Sequence, residues 1–505
     1  MFARKSLLIM TANILEGILA YVSLFFISRY MGPEAYGIIG FAMGFVGLYT
    51  IIDNLGFNSA HIKQVSEGKD LGTCFGTYFT AKIGFTALMA AIVIGAVFFW
   101  KVIIGRGFES HTHELAIFII LGYFVIRSIA EIFQNTFRAR KEIAKSEISI
   151  IIRALMRTGA IVVVAISGFG PLLLAYAYVF GDVFFLIIQV IFFRGYPVKK
   201  PSSDYFKNYA KFAMPLIIVV ASATIMTNLD KVLIQLFWSS EDVGYYFACC
   251  RITQFIVIAV SSMGILLFPT ISGYHINKDI DRIKKIVYLS ERYISILVFP
   301  MVVGVVVLAE PAVRILLSRS FYPAIPVFRI LPFFALLHAL TTPYNYQLIG
   351  MNKPKLARNR VVIMVVINVA LNIVLIPKDI QILGVNLFGL GGVGASIATV
   401  ASYSVGMVYC RVAVWRLTGG NWNPRILIHL FAACFMGMLL YGFNYIFPID
   451  RWYHLLWFAI MGMGIYLFVL FLFKEFRRKD IDFVLDTFNI KKMSQYIIDE
   501  IKGEK

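Results

Sequence analysis

Long apolar runs broken by short polar turns recur along the whole chain. They fall near residues 7–29, 37–57, 77–100, 114–136, 147–167, 171–193, 212–238, 245–268, 288–309, 324–349, 359–377, 391–415, 425–447 and 453–473. Crossing the roughly 30 Å hydrocarbon core of a bilayer takes about 20 mainly apolar residues per helix. The pattern therefore predicts an all-α polytopic membrane protein with about 14 transmembrane helices. The first run follows Arg4-Lys5 and carries no small-residue cleavage site, so it is expected to stay as a membrane helix.

Composition agrees with that reading. Hydrophobic residues make up 59% of the 505 and charged residues 15%, with a mean hydropathy of +0.79. A water-soluble fold could not hide so much apolar surface, so lipid must be the solvent. A net charge of +19 in a soluble chain would suggest nucleic acid. Here the cations are placed by topology instead, and no nucleic-acid partner is expected. Arg138, Arg140, Lys141 and Lys145 follow the fourth run, Lys199, Lys200 and Lys207 the sixth, Lys284 and Lys285 the eighth, and Lys353, Lys355 and Arg358 the tenth. Odd-numbered turns hold few. Cations stay on the cytoplasmic side during insertion, which predicts a multi-pass protein of the cell membrane with both termini cytoplasmic. The turns are too short for a soluble catalytic domain, so no enzyme and no catalytic residue is expected. Cys74, Cys249, Cys250, Cys410 and Cys434 lack metal-ligand spacing and read as packing residues.

The chain also echoes itself. Ala210–Cys250 opens beside Lys207 and Lys211, breaks at Pro215, and ends in a turn, Ser239-Ser240-Glu241-Asp242-Val243-Gly244, that resembles Met31-Gly32-Pro33-Glu34-Ala35-Tyr36-Gly37. At an offset of 207, Glu241 matches Glu34, Gly244 matches Gly37 and Arg360 matches Arg153. Two six-helix sets with the same orientation follow, the parallel type of transporter repeat. The expected domains are an N-terminal lobe at 1–206, a C-terminal lobe at 207–418, two appended membrane helices at 419–474 and an amphipathic cytoplasmic tail at 475–505.

Ionisable residues within spans are costly and mark pairs or wet cavities. The first half holds Glu16, Lys82, Arg127, Glu131, Arg153, Arg157 and Asp182; the second holds Asp230, Lys231, Arg251 and His338. Arg127 and Glu131, four apart, can neutralise each other on one helix face. Arg153 and Arg157 share a face with like charge, and therefore need carboxylates such as Asp182 or Glu131, or an anionic ligand. Guanidinium forks match phosphate oxygens. Asp230-Lys231 reads as a pair near the membrane interface, Asn368 and Asn372 as bridges between helices, and His338 as a hydrogen-bonded core histidine. Gly389–Gly394 fits a dinucleotide pattern, but it opens a membrane helix and reads as close packing. His111 and His113 lack the supporting ligands of a metal site.

The motifs MGPEAYG, DNLGFNSAHIKQ (Asp53–Gln64), the run from Met214 to EDVGYY, LFPTIS (Leu267–Ser272), Ala309–Leu331 and Asn368–Ser402 together resemble the polysaccharide-transporter (O-antigen flippase) family of the multidrug/oligosaccharidyl-lipid/polysaccharide exporter superfamily. That resemblance implies two six-helix lobes in a V around a central cavity, plus two extra C-terminal helices. It implies movement of a polyprenyl-(di)phosphate-linked oligosaccharide to the outer leaflet by alternating access. Arg153, Arg157, Lys82 and Arg127 are then expected to form a cationic cavity. Coupling to H+ or Na+ would run through Asp182, Glu131, Glu16 or Asp230, with no cofactor. Glycan polymerases or glycosyltransferases are the expected partners besides membrane lipids. A drug/ion antiporter and a peptidoglycan-precursor lipid flippase stand as alternatives.

Overall fold

The computed structural model describes residues 2–103, 108–264, 267–380, 384–420 and 423–475. In chain order the helices are α1 (Phe2–Tyr30), α2 (Gly32–Asn54), α3 (Phe57–Ser66), α4 (Leu71–Val102), α5 (His111–Ala139), α6 (Ile143–Ile166), α7 (Pro171–Phe192), α8 (Ser203–Phe237), α9 (Ser240–Gly264), α10 (Leu267–Ile276) and α11 (Ile280–Val307). A short α12 (Ala309–Ala312), a π turn (Val313–Leu317) and a 3-10 turn (Arg319–Ala324) lead from the ninth run to the tenth, which α13 (Ile325–Ile330) and α14 (Pro332–Gly350) fill. Then come α15 (Pro354–Leu375), α16 (Gly391–Thr418), α17 (Arg425–Ile446) and α18 (Trp452–Leu472), with a two-residue antiparallel hairpin, β1 (Asp379–Ile380) and β2 (Val385–Asn386), between α15 and α16. Thirteen helical segments among the described residues are long and apolar enough to cross a membrane. α9, of 25 residues, occupies the eighth predicted run. The expected amphipathic tail lies outside the described residues from 476 onward.

Pro215 does not break its helix. α8 begins at Ser203 and runs through it to Phe237, because a span tolerates one missing backbone bond where neighbouring helices and side chains satisfy the freed carbonyl. α4 starts where a charge allows it to. The Asp70 carboxylate accepts the Thr73 N–H at 2.8 Å, capping the helix, and also takes the Lys199 ammonium at 2.8 Å.

The element order repeats. α2, α3, α4 and α6 begin at residues 32, 57, 71 and 143; α9, α10, α11 and α15 begin at 240, 267, 280 and 354, between 208 and 211 residues later. The ten-residue α3 and α10 are matching short connectors. Within the first helix group, α1 packs on α6, and α7 on α5 and α6; within the second, α16 packs on α14 and α15. α17 and α18 lean on α11. They are fastened there by Glu475, which binds Arg292 and, at 3.1 Å, Arg425.

The two groups meet where α2 crosses α9 and α8. A Cβ at Gly37 would lie 1.7 Å from the Ser240 carbonyl oxygen, and one at Gly244 would lie 2.0 Å from that of Pro33. Each glycine thus faces the backbone of the opposite half, at positions matched by the offset of 207. The stripe continues along α2: Gly40 meets Phe247, Gly44 the Lys231 side chain and Gly47 Asn228. Close backbone approach of this kind holds helices together in lipid, where no hydrophobic force acts between them. At the same end Arg29 donates to the Ile315 carbonyl at 2.7 Å, and Ser318 to that of Ser28 at 3.0 Å.

Gly37→Leu should therefore destabilise the purified protein by at least the about 1–3 kcal/mol typical of overpacking, read as a lowered Tm in detergent. Gly122→Leu, where nothing lies within 4 Å of the added Cβ, should leave Tm unchanged. Equal Tm values for the two variants would refute the crossing.

Candidate functional site

Beside the glycine crossing lies a cavity of about 360 Å³. α2 contributes Thr50, Asp53 and Asn54, and α5 contributes Tyr123, Arg127 and Glu131. From the second group come Thr224, Asn228 and Lys231 on α8 and Phe247 and Arg251 on α9.

The walls differ in how their charges are held. Arg127 Nε meets Glu131 Oε1 at 3.1 Å and Nη1 donates to the Tyr123 hydroxyl at 2.6 Å. Asp53 accepts Lys82 Nζ at 2.5 Å, the Thr86 hydroxyl at 2.7 Å and the Ser128 hydroxyl at 2.5 Å. Lys82, fully buried, reaches the cavity wall only through that carboxylate. On the opposite wall, Lys231 donates to the Thr227 carbonyl at 2.7 Å and lies 3.3 Å from Asn228 Oδ1. The Arg251 guanidinium stands 4.9 Å from the Phe247 ring centroid. Neither has a carboxylate partner among the described residues. The room for Lys231 comes from Gly44, whose missing side chain would touch the lysine Cβ at 2.9 Å.

Arg153 and Arg157 lie elsewhere, inside the first helix group. Arg153 Nη2 binds Glu16 Oε1 at 2.8 Å and Arg157 Nη2 approaches the same oxygen at 3.6 Å. The rings of Phe185 and Tyr178 lie 4.9 and 5.9 Å from the two guanidinium carbons. Asp182 is fully buried on the facing helix α7, and neither of its oxygens has a hydrogen-bond partner. Gly181 lets α7 close against the Arg157 Cβ. Of the four cations expected in the cavity, then, only Arg127 lines it. Glu16, Glu131 and Asp182 set three carboxyl groups against the three arginines.

Asp230 and Lys231 are not a pair. Successive helical residues point about 100° apart, so the two side chains leave α8 in different directions and make no ion pair, although Lys231 still acts on the Asp230 charge. Asp230 is buried in the second group, where it accepts the Tyr246 hydroxyl at 2.5 Å and Asn372 Nδ2 at 2.6 Å, with Thr399 Oγ1 at 3.5 Å. Asn368 Oδ1 accepts from Asn372 at 3.1 Å and Asn368 Nδ2 approaches Thr399 at 3.4 Å, so both asparagines do bridge helices. His338 is half-buried, not a hydrogen-bonded core residue. It sits edge-on to Tyr403, beside Arg360 at a hollow of about 80 Å³. His113 bonds Ser240 at 2.6 Å across the crossing, while His111 stays exposed. Gly391 and Gly394 pack on Trp238 and the Leu375 carbonyl.

A family profile described as polysaccharide biosynthesis protein matches residues 26–326. The chain belongs to that family. Curated relatives of this polysaccharide biosynthesis protein include the probable low-salt glycan biosynthesis flippase Agl15 of Haloferax volcanii, 23% identical over 87% of this chain and 94% of the relative. An uncharacterized membrane protein of Methanocaldococcus jannaschii is 23% identical over 80% and 96%. Among solved structures, the lipid II flippase MurJ in an inward closed conformation aligns with a TM-score of 0.73 at 15% identity, covering 94% of this chain and 99% of that one. An inward-facing multidrug resistance MATE transporter of the MOP superfamily aligns at 0.65 and 15% identity, over 83% and 100%. The fold is that of these polytopic helical transporters.

Removing one partner of a buried ion pair strands the other charge, at a cost of about 3–5 kcal/mol. Lys82→Met and Asp53→Asn should each destabilise the protein by roughly this amount, and the double variant should recover much of the loss. Denaturant unfolding of all four proteins checks this. Additive single effects would show that Lys82 and Asp53 do not act on each other.

Proposed function

We propose that this family member is a flippase for a polyprenyl-(di)phosphate-linked oligosaccharide, with residues 1–206 and 207–418 forming two lobes that rock about the central cavity and both termini on the cytoplasmic side. The observation that carries the proposal is the pair of cavity cations without carboxylate partners, Lys231 and Arg251. A buried cation needs an anion, and a lipid phosphate supplies one. Arg127 adds a third positive group on the facing wall, and the hydroxyls and amides of Thr50, Asn54, Thr224 and Asn228 suit sugar hydroxyls. The flippase description of the Haloferax volcanii relative supports the same reading. A cavity for organic cations would instead leave carboxylates free, and here Asp53 and Glu131 are occupied.

Ion coupling is assigned to Asp230. Glu16 and Glu131 are held by arginines, and Asp182 has Arg153, Arg127 and Arg157 acting on it. Among the described residues Asp230 makes no ion pair, although Lys231 acts on its charge; it is bonded by the Tyr246 hydroxyl and the Asn372 amide with Thr399 at 3.5 Å, on a carboxylate that can bind Na+ or a proton.

Cells lacking the protein should accumulate a finished glycan-lipid on the inner leaflet. Complementation with Lys231→Ala or Arg251→Ala should lower flipping by about 10- to 100-fold, the worth of one hydrogen bond to a charged group, without loss of membrane insertion. Full transport by both variants would remove the cavity cations from substrate binding. Asp230→Asn keeps the shape and removes the charge. In vesicles it should abolish the dependence of transport on an imposed Na+ or proton gradient; unchanged dependence would place coupling elsewhere.

A further inference from the structure

The second helix group holds a larger hollow than the central cavity. It measures about 610 Å³ and lies between α11, α14 and α16 at the end of the molecule where the cation-rich turns gather. It shares no lining residue with the central cavity. In the first group the corresponding helices, α4, α5 and α7, fill this space with a stack of Phe75, Phe133 and Phe193, their ring centroids 4.2–5.7 Å apart. The start of α11 puts Lys284 at the place of Phe75, each four residues into its helix. The plug is missing and a basic mouth stands in its place.

We propose that this hollow binds one anionic phospholipid of the surrounding leaflet, by its phosphate headgroup and one acyl chain. Lys284, Lys285 and Arg411 surround the mouth. Glu291 offsets one of these charges, being bound to Arg411, and Asp281 approaches Lys284 only at 3.9 Å from a solvent-exposed position. Arg411 Nε has no partner, and neither does Oε1 of Gln347, a residue 1% exposed. One donor and one acceptor thus wait inside the site. The acyl path is equally defined. Val412 and Trp415 line the hollow, and with Val405 and Val408 they form an exposed apolar stripe on one face of α16 that leads from the mouth toward the middle of the span. Basic pockets between transmembrane helices on the cytoplasmic side are suited to anionic lipid headgroups.

The test is native mass spectrometry of the full-length protein released from micelles containing phosphatidylglycerol and phosphatidylcholine in equal amounts. The wild type should retain one phosphatidylglycerol in preference to phosphatidylcholine. Each lysine near an anionic headgroup is worth about fivefold in binding, so Lys284→Gln/Lys285→Gln should weaken retention by roughly 25-fold. Both lysines stand at the mouth, outside any buried pair, and the wild-type competition needs no variant. Glycerol 3-phosphate should fail to displace the lipid. Equal retention of the two lipids by the wild type, or unchanged selectivity in the double variant, overturns the site. Displacement by glycerol 3-phosphate would make it a soluble-anion site and overturn the lipid assignment.

Discussion

Two glycines carry the architecture. Gly37 and Gly244 each let the other half's main chain come so near that no side chain could fit between them. In lipid there is no water to expel between helices, and close van der Waals contact is what remains to hold two halves together. Everything described at the centre of the molecule follows from this contact. α2 is pressed on α9 and α8 along its glycine stripe, as far as Lys231 and Asn228, and the cavity opens beside that seam, between it and α5.

The halves share a backbone plan and divide the electrostatic work. The first is charged but self-neutralised: Lys82 with Asp53, Arg127 with Glu131, Arg153 and Arg157 with Glu16 near Asp182. Such networks hold helices in register, and each lost partner would strand a charge in a low-dielectric interior. Among the described residues, the second half keeps two cations on the cavity wall outside any ion pair, Lys231 and Arg251, and a buried carboxylate, Asp230, that is likewise in none. The scaffold charges thus lie in one half and the uncommitted ones in the other.

How much of this was legible in the sequence depended on how far apart the interacting residues lie. The spans were readable because a run of apolar residues needs no partner to be recognised. Gly37 and Gly244 stood out at the offset of 207, but not the fact that each faces the other half's backbone. Arg127–Glu131 could be read because both sit on one helix. Glu16 lies 137 residues from Arg153, and Asp53 lies 29 from Lys82; no local pattern announces such pairs. The spacing 37, 40, 44, 47 on α2 was a missed signal, since four glycines on one helical face mark a close crossing. Adjacency misled at Asp230-Lys231, where chain neighbours look like partners but diverge around the helix.

The mutual seating of the two glycines ties the two halves of the chain together. Elsewhere the two halves differ, as Lys284 in place of Phe75 shows, because those positions answer only to neighbours within their own bundle. At residues 37 and 244 a bulky replacement in one half collides with backbone in the other, and backbone offers no smaller variant with which to compensate. Replacement should therefore be tolerated least at this contact, whatever changes elsewhere in either half.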